Sequence, residues 1–201
     1  MAVVSAFAAE PKLDALLHDV ETRYNRAKTL QVLFREDYTR PSESRRTESG
    51  ILMLRKPGRM RWTYSEPKGK LFISDGKFLW LYTAAENRAE RMKLQESDDM
   101  RAPLAFLLGR LNFEKEFRNL QARPEGANTR IIAEPKTDNL PYSLVEFVVR
   151  PDASILEVKV TSFDKSILQF TFDQERMNPP LDNKQFQFQL PKGAELVEAV
   201  Q

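Results

Sequence analysis

The sequence predicts a mainly β domain: one large antiparallel sheet of about ten short strands, curled into a barrel or part-barrel, with two helices to cover it. Three observations carry that prediction. Apolar runs of strand length recur at roughly ten-residue spacing through most of the chain. Turn chemistry separates them, as at Pro57-Gly58, Pro67-Lys68-Gly69 and Asp75-Gly76. Proline presets φ for the first central position of a turn, and glycine supplies the positive φ that other residues resist. Helical spacing, by contrast, is evident in only two stretches.

The elements follow in order. Pro11 sits where proline is tolerated, in the first turn of a helix. Leu13, Leu16, Leu17, Val20, Tyr24, Ala27 and Leu30 then recur at three- and four-residue steps, so a helix is expected from about Lys12 to Thr29. Period two takes over at Val32, Phe34 and Tyr38. Arg40 to Glu48 is polar and reads as a turn or loop, and Thr47 to Lys56 as the next strand. The stretch from Leu54 to Tyr82 is a β-meander carrying Trp62, Tyr64, Trp80 and Tyr82. Within it Asp75-Gly76 signals a type I′ hairpin. Arg88 to Leu94 can be a further strand, and Ser97 or Asp98 offers a helix cap. Ala102 to Leu108 is a short, very apolar helix with Gly109 as its C-cap. Phe113 to Leu120 is ambiguous. Arg130–Glu134, Tyr142–Arg150, Ile155–Phe163 and Ile167–Asp173 read as strands. Asn178 to Asp182 is a turn with room for one helical turn, and Gln185 to Leu190 alternates, with Phe186, Phe188 and Leu190 on one face.

The chain has 201 residues, enough for one domain, and no repeat or linker divides it. Lys+Arg less Asp+Glu is 31 − 29 = +2, with both signs spread along the chain. That balance lacks the clustered basic footprint of a nucleic-acid binder. Cysteine is absent, which excludes disulfides and thiolate zinc sites. Residues 1–9 end in Ala6-Phe7-Ala8-Ala9, similar to the tail of a secretory signal with an A-x-A cleavage site. The alternative is an apolar start to the first helix.

A search for catalytic groups yields none. The single histidine, His18, lies on the polar side of the first helix. One histidine without cysteine excludes Cys–His nucleophiles and most histidine metal sites. Neither a G-x-S-x-G elbow nor a phosphate loop is present. What stands out is apolar excess. Ile51-Leu52-Met53-Leu54, Leu71-Phe72-Ile73 and Val145 to Val149 place apolar side chains on both faces of their strands. Both faces then need cover. Either the sheet packs on itself, or one face lines a dry cavity for an apolar ligand.

Gly50, Arg55-Lys56-Pro57-Gly58-Arg59-Met60-Arg61-Trp62-Thr63-Tyr64, Pro67, Asp75-Gly76-Lys77, Trp80 and Tyr82 resemble the signature of the LolA family, periplasmic carriers of outer-membrane lipoproteins. Ala102-Pro103 to Gly109 and the closing Phe186-x-Phe188-x-x-Pro191-x-Gly193 extend the resemblance over residues 10–201 as a single carrier domain. It implies an incomplete antiparallel β-barrel of about 10–11 strands, whose helices form a lid over a hydrophobic cavity. It further implies a periplasmic monomer without enzymatic activity, cofactor or metal. Such a carrier takes acylated lipoproteins from an inner-membrane ABC transporter (LolCDE-like) to an outer-membrane receptor (LolB-like). The cavity is expected to be lined by Met53, Trp62, Ile73 and Trp80 from the sheet and by Leu104, Phe106 and Leu107 from the lid. Family members carry an arginine just before the motif proline that ties lid to barrel. Here that position is Lys56, with Arg55 one place earlier and therefore on the opposite face of its strand. Two rival readings are a family paralogue that carries another lipid or glycolipid, and a periplasmic sensor or interaction module on the same fold.

Overall fold

The computed structural model describes residues 13–94, 104, 111–137 and 140–198. The signal-like segment, the helix cap at Ser97 or Asp98, and the 102–108 helix apart from Leu104 lie outside the described residues. So do Phe106 and Leu107.

Helix α1 (Leu13–Arg26) presents Leu17, Val20 and Tyr24 as its buried stripe. It ends three residues before the expected Thr29, because Thr29 already pairs with Arg55 in the sheet. The strands are β1 (Thr29–Thr39), β2 (Arg46–Arg55), β3 (Arg59–Glu66), β4 (Lys70–Asp75), β5 (Phe78–Thr83) and β6 (Arg88–Lys93). After the short helix α2 (Phe113–Glu116) come β7 (Phe117–Glu125), β8 (Asn128–Pro135), β9 (Tyr142–Val149), β10 (Ile155–Ser162), β11 (Ile167–Met177) and β12 (Glu195–Glu198). The ambiguous 113–120 stretch is thus both: one helical turn capped by Asn112, then strand.

All twelve strands form one sheet in the order β12-β6-β5-β4-β3-β2-β1-β11-β10-β9-β8-β7. Pairing is antiparallel except for β12 beside β6. The sheet is not closed: β7 and β12 are its two edges. The expected open, mainly β architecture is therefore observed, with one or two strands more than anticipated.

Three local expectations are corrected. The loop after β1 is shorter, since Arg46, Thr47 and Glu48 pair with Tyr38, Asp37 and Glu36. Asp37 holds this end by accepting hydrogen bonds from Arg35 and Thr47 and by pairing with Arg45. The 75–76 turn is not type I′, because Gly76 has φ +96° while Asp75 is not in the positive-φ region. Instead the Asp75 carboxylate accepts from the backbone N–H groups of Lys77 and Phe78, both at 2.8 Å. The alternating 185–190 stretch is not a strand. It begins in a 3-10 turn (Asn183–Phe186), capped at Asp182, that packs on β3 and β4. Beyond β5, the free side of β6 is taken by β12.

Strand alternation divides the side chains between two faces. The inner face, under α1, runs through Phe172, Phe34, Gly50 and Tyr64 in one row and Val32, Leu52, Trp62, Phe72 and Leu81 in the next. Gly50 permits the close approach of β2 to β3, since a Cβ there would lie 2.1 Å from the Thr63 carbonyl oxygen. The opposite, outer face carries Gln31, Met53, Arg61, Ile73, Trp80 and Arg91 across five strand pairs. Phe188 stacks on Trp80 there, with ring centroids 5.1 Å apart, and the Arg61 guanidinium donates to the Gln185 carbonyl. The doubly apolar strands are thus explained on this half of the sheet: segment 183–190 covers the outer side, and the inner side joins one core with α1 and Leu104.

Candidate apolar binding site

The inner face of β1–β4 and β11 is a wall of aromatic rings. Phe34 meets Trp62 edge-on at 4.7 Å and Tyr64 at 5.1 Å, and Trp62 lies 5.3 Å from Phe170. Phe170 in turn stacks with Phe172. These side chains share one core with Leu17, Val20 and Tyr24 of α1 and with Leu104. Among the described residues, two voids follow the seam between α1 and the sheet, each of about 10 Å³.

Polar groups on this wall are few and specific. The Trp62 indole N–H is fully buried and meets no hydrogen-bond acceptor among the described residues. Glu36, 5% exposed, accepts from the Tyr64 hydroxyl at 3.2 Å. An unsatisfied buried donor costs about 1–3 kcal/mol, so the apolar wall is locally destabilised at Trp62.

Helix α1 is held over the wall by discrete polar bonds. The buried Tyr24 hydroxyl donates to Glu175 at 2.7 Å and accepts from the Ile155 N–H at 2.9 Å. Arg23 binds the same carboxylate through Nε and a terminal nitrogen at 3.0 and 2.6 Å, and reaches Asp152. Burial, then the nearby Glu175 charge, pushes the Tyr24 phenol well above its ordinary pKa. Asn25 exchanges hydrogen bonds with both backbone groups of Leu111, and Glu21 accepts from the Phe113 N–H. Lys56 donates to the Tyr24 carbonyl at 2.6 Å, next to the C-terminus of α1, where a cation opposes the helix dipole. Desolvation lowers the Lys56 pKa. Arg55, on the other side of β2, donates to the Leu181 carbonyl.

The residues singled out from sequence therefore separate. Trp62 and Leu104 belong to the buried inner core. Met53, Ile73 and Trp80 do not join them: all three lie on the outer face, in register with Arg61 or with one another, one residue out of phase with Leu52, Phe72 and Leu81. A one-residue phase error moves a side chain to the other side of a sheet. Lys56 does contact a covering helix, but the helix is α1. Sequence reasoning missed Phe34, Phe170 and Phe172, although their alternation with polar neighbours was a usable signal. It also missed Glu36 and the Tyr24–Glu175 bond, which spans 151 positions and leaves no local signature.

Comparison with known proteins supports this architecture. The family model of the outer membrane lipoprotein carrier protein LolA matches residues 25–189. The chain is similar to the outer-membrane lipoprotein carrier protein of Chromobacterium violaceum, 27% identical over 98% of this chain and 94% of the relative. It is also similar to that of Nitrosomonas europaea, 24% identical over 93% and 91%. Among solved structures, an uncharacterized conserved protein from Thermus thermophilus shares the fold at a TM-score of 0.54 and 12% identity, covering 92% of this chain and 98% of that one. With the family model spanning most of its length, the chain belongs to the LolA family of outer-membrane lipoprotein carrier proteins.

Proposed function

We propose that this protein is a periplasmic carrier that shelters the acyl chains of lipoproteins between the inner face of its open sheet and its covering helices, taking them from the inner to the outer membrane. The observation that carries the reading is the aromatic wall around Trp62, roofed by a helix held by one apolar stripe and by separable polar bonds. Each buried CH₂ is worth ~0.8 kcal/mol, so an acyl chain of about fifteen carbons strands roughly 12 kcal/mol in water. A carrier must hide that area and still give it up. Exchanging helix–wall contacts for ligand contacts keeps net affinity modest. Trp62 and Leu104 are assigned to this interior, with Phe106 and Leu107 as further lid residues on the family resemblance. Met53, Ile73 and Trp80 stiffen the outer face.

Work of this kind needs no bond making, and the reading is of a binding protein, not an enzyme. Its partners are acylated lipoproteins, a LolCDE-like transporter and a LolB-like receptor, and it acts as a monomer. The test is a release assay. Proteoliposomes containing the transporter and a lipoprotein are incubated with the protein, and soluble lipoprotein complex is measured. Complex that rises with carrier to a plateau is expected; none at saturating carrier refutes the reading.

A further inference from the structure

We propose that the groove at the C-terminal end of α1 is a headgroup site for an anionic amphiphile, whose phosphate or carboxylate sits in the groove while its alkyl chain runs under α1. The inference rests on the carrier reading of the interior and adds a charge preference to it.

Three observations converge on this groove. The first is its form. About 1140 Å³ lies between residues 25–29, the end of β2 at Arg55 and Lys56, and residues 178–182. Its walls are tied together: the Thr29 hydroxyl donates to the Pro179 carbonyl at 2.6 Å, the Asn178 N–H to the Thr29 carbonyl at 2.9 Å, and the Lys28 N–H to the Asn178 side chain at 2.8 Å.

The second is its charge. Arg26, Lys28, Arg55 and Lys56 line it against the single carboxylate of Asp182, a net 4 − 1 = +3. That carboxylate is engaged in capping the 3-10 turn. Several other cations of this protein meet carboxylates, as in Arg23–Glu175, Lys70–Glu48, Arg91–Glu198 and Arg130–Glu146. Among the described residues none of the four groove cations does so. Arg55 and Lys56 bond to backbone carbonyls, Lys56 at the negative end of the α1 dipole, and neither meets a carboxylate among the described residues.

The third is continuity with the interior. The groove shares Ala27, Lys28, Thr29 and Lys56 with the first seam void. That void shares Tyr24 and Leu30 with the second, which is walled by Val32, Leu52 and Phe172 of the inner face. A positively charged vestibule thus opens onto an apolar seam, the arrangement that matches a molecule with an anionic head and an alkyl tail. Charge of one sign in a cleft raises the local concentration of its counter-ion.

The test is calorimetric titration of the full chain at low salt with three twelve-carbon probes below their micelle concentrations: dodecyl phosphate, dodecanoate and the neutral dodecyl maltoside. At least one anionic probe is expected to bind about tenfold more tightly than the maltoside, equivalent to roughly 1.4 kcal/mol. Whichever anion is preferred tells a phospholipid-like ligand from a fatty-acid-like one. Arg26→Glu with Lys28→Glu changes two exposed side chains that make no side-chain hydrogen bond or ion pair among the described residues. It should abolish the preference and leave maltoside affinity unchanged. Added salt should do the same to the unaltered protein, a readout independent of whether the variant folds. Equal affinity for all three probes overturns the headgroup site alone. Binding of none overturns the carrier reading with it.

Discussion

Tyr24→Phe removes one oxygen atom from the middle of the bond network that holds α1. The hydroxyl donates to Glu175, an acceptor whose side chain is 11% exposed, and satisfies the Ile155 N–H, which is buried. A hydrogen bond to a charged group is worth about 1.5–3 kcal/mol, and an orphaned buried N–H costs about 1–3 kcal/mol. Arg23 still neutralises Glu175, which trims the loss. A destabilisation of about 3 kcal/mol is expected, or roughly 6–12 °C in Tm for a chain of this size. The ring and its packing remain, so the loss is polar. Urea unfolding measures the global term, and amide exchange at Leu17 and Val20 measures the opening of α1 itself. Both amides should exchange faster, and by a larger factor than amides of β9 and β10. A loss below about 1 kcal/mol with unchanged exchange would refute the claim that this hydroxyl fastens the helix.

Trp62→Ala should cost about 3–5 kcal/mol and impair loading in the release assay, because the ring fills the centre of the inner wall. Trp80→Ala removes a half-buried outer ring stacked on Phe188, and should cost only about 1–2 kcal/mol while loading persists. Acid should weaken the β1–β2 end. Burial works to raise the Asp37 pKa, but bonds from Arg45, Thr47 and Arg35 outweigh it and hold the carboxyl at about 2. Its contribution, roughly 2 kcal/mol, is present above pH 4 and lost as pH falls from about 4 to 2, so Asp37→Asn should flatten the acid limb of stability against pH. Alkali should act through tyrosine. Burial raises the Tyr142 phenol to about 12, and Tyr24 is raised as well, so both favour the folded state below pH 10 and oppose it as they ionise above. A pH–stability curve flat from 9 to 11 would contradict this.

The sequence by itself determined most of the strands, the first helix and the family. Those rest on short-range chemistry: the period-two runs, the glycines and prolines of the 54–82 meander, and the three- and four-residue steps from Leu13 to Tyr24. It also separated Arg55 from Lys56, because neighbours on a strand point opposite ways. It could not decide which side faces inward. Both faces of β4 and β5 are apolar, and the reason Ile73 and Trp80 belong to the outer one is segment 183–190, more than a hundred residues away, folded across them. The same holds for the buried acceptor of Tyr24 and for the cluster of cations that meets no carboxylate among the described residues. Arg26, Lys28, Arg55 and Lys56 lie on two separate stretches of chain, and only the pairing of β1 with β2 sets them around one groove. Local chemistry writes the elements; which faces meet is decided by contacts between segments that the chain brings together only when it folds.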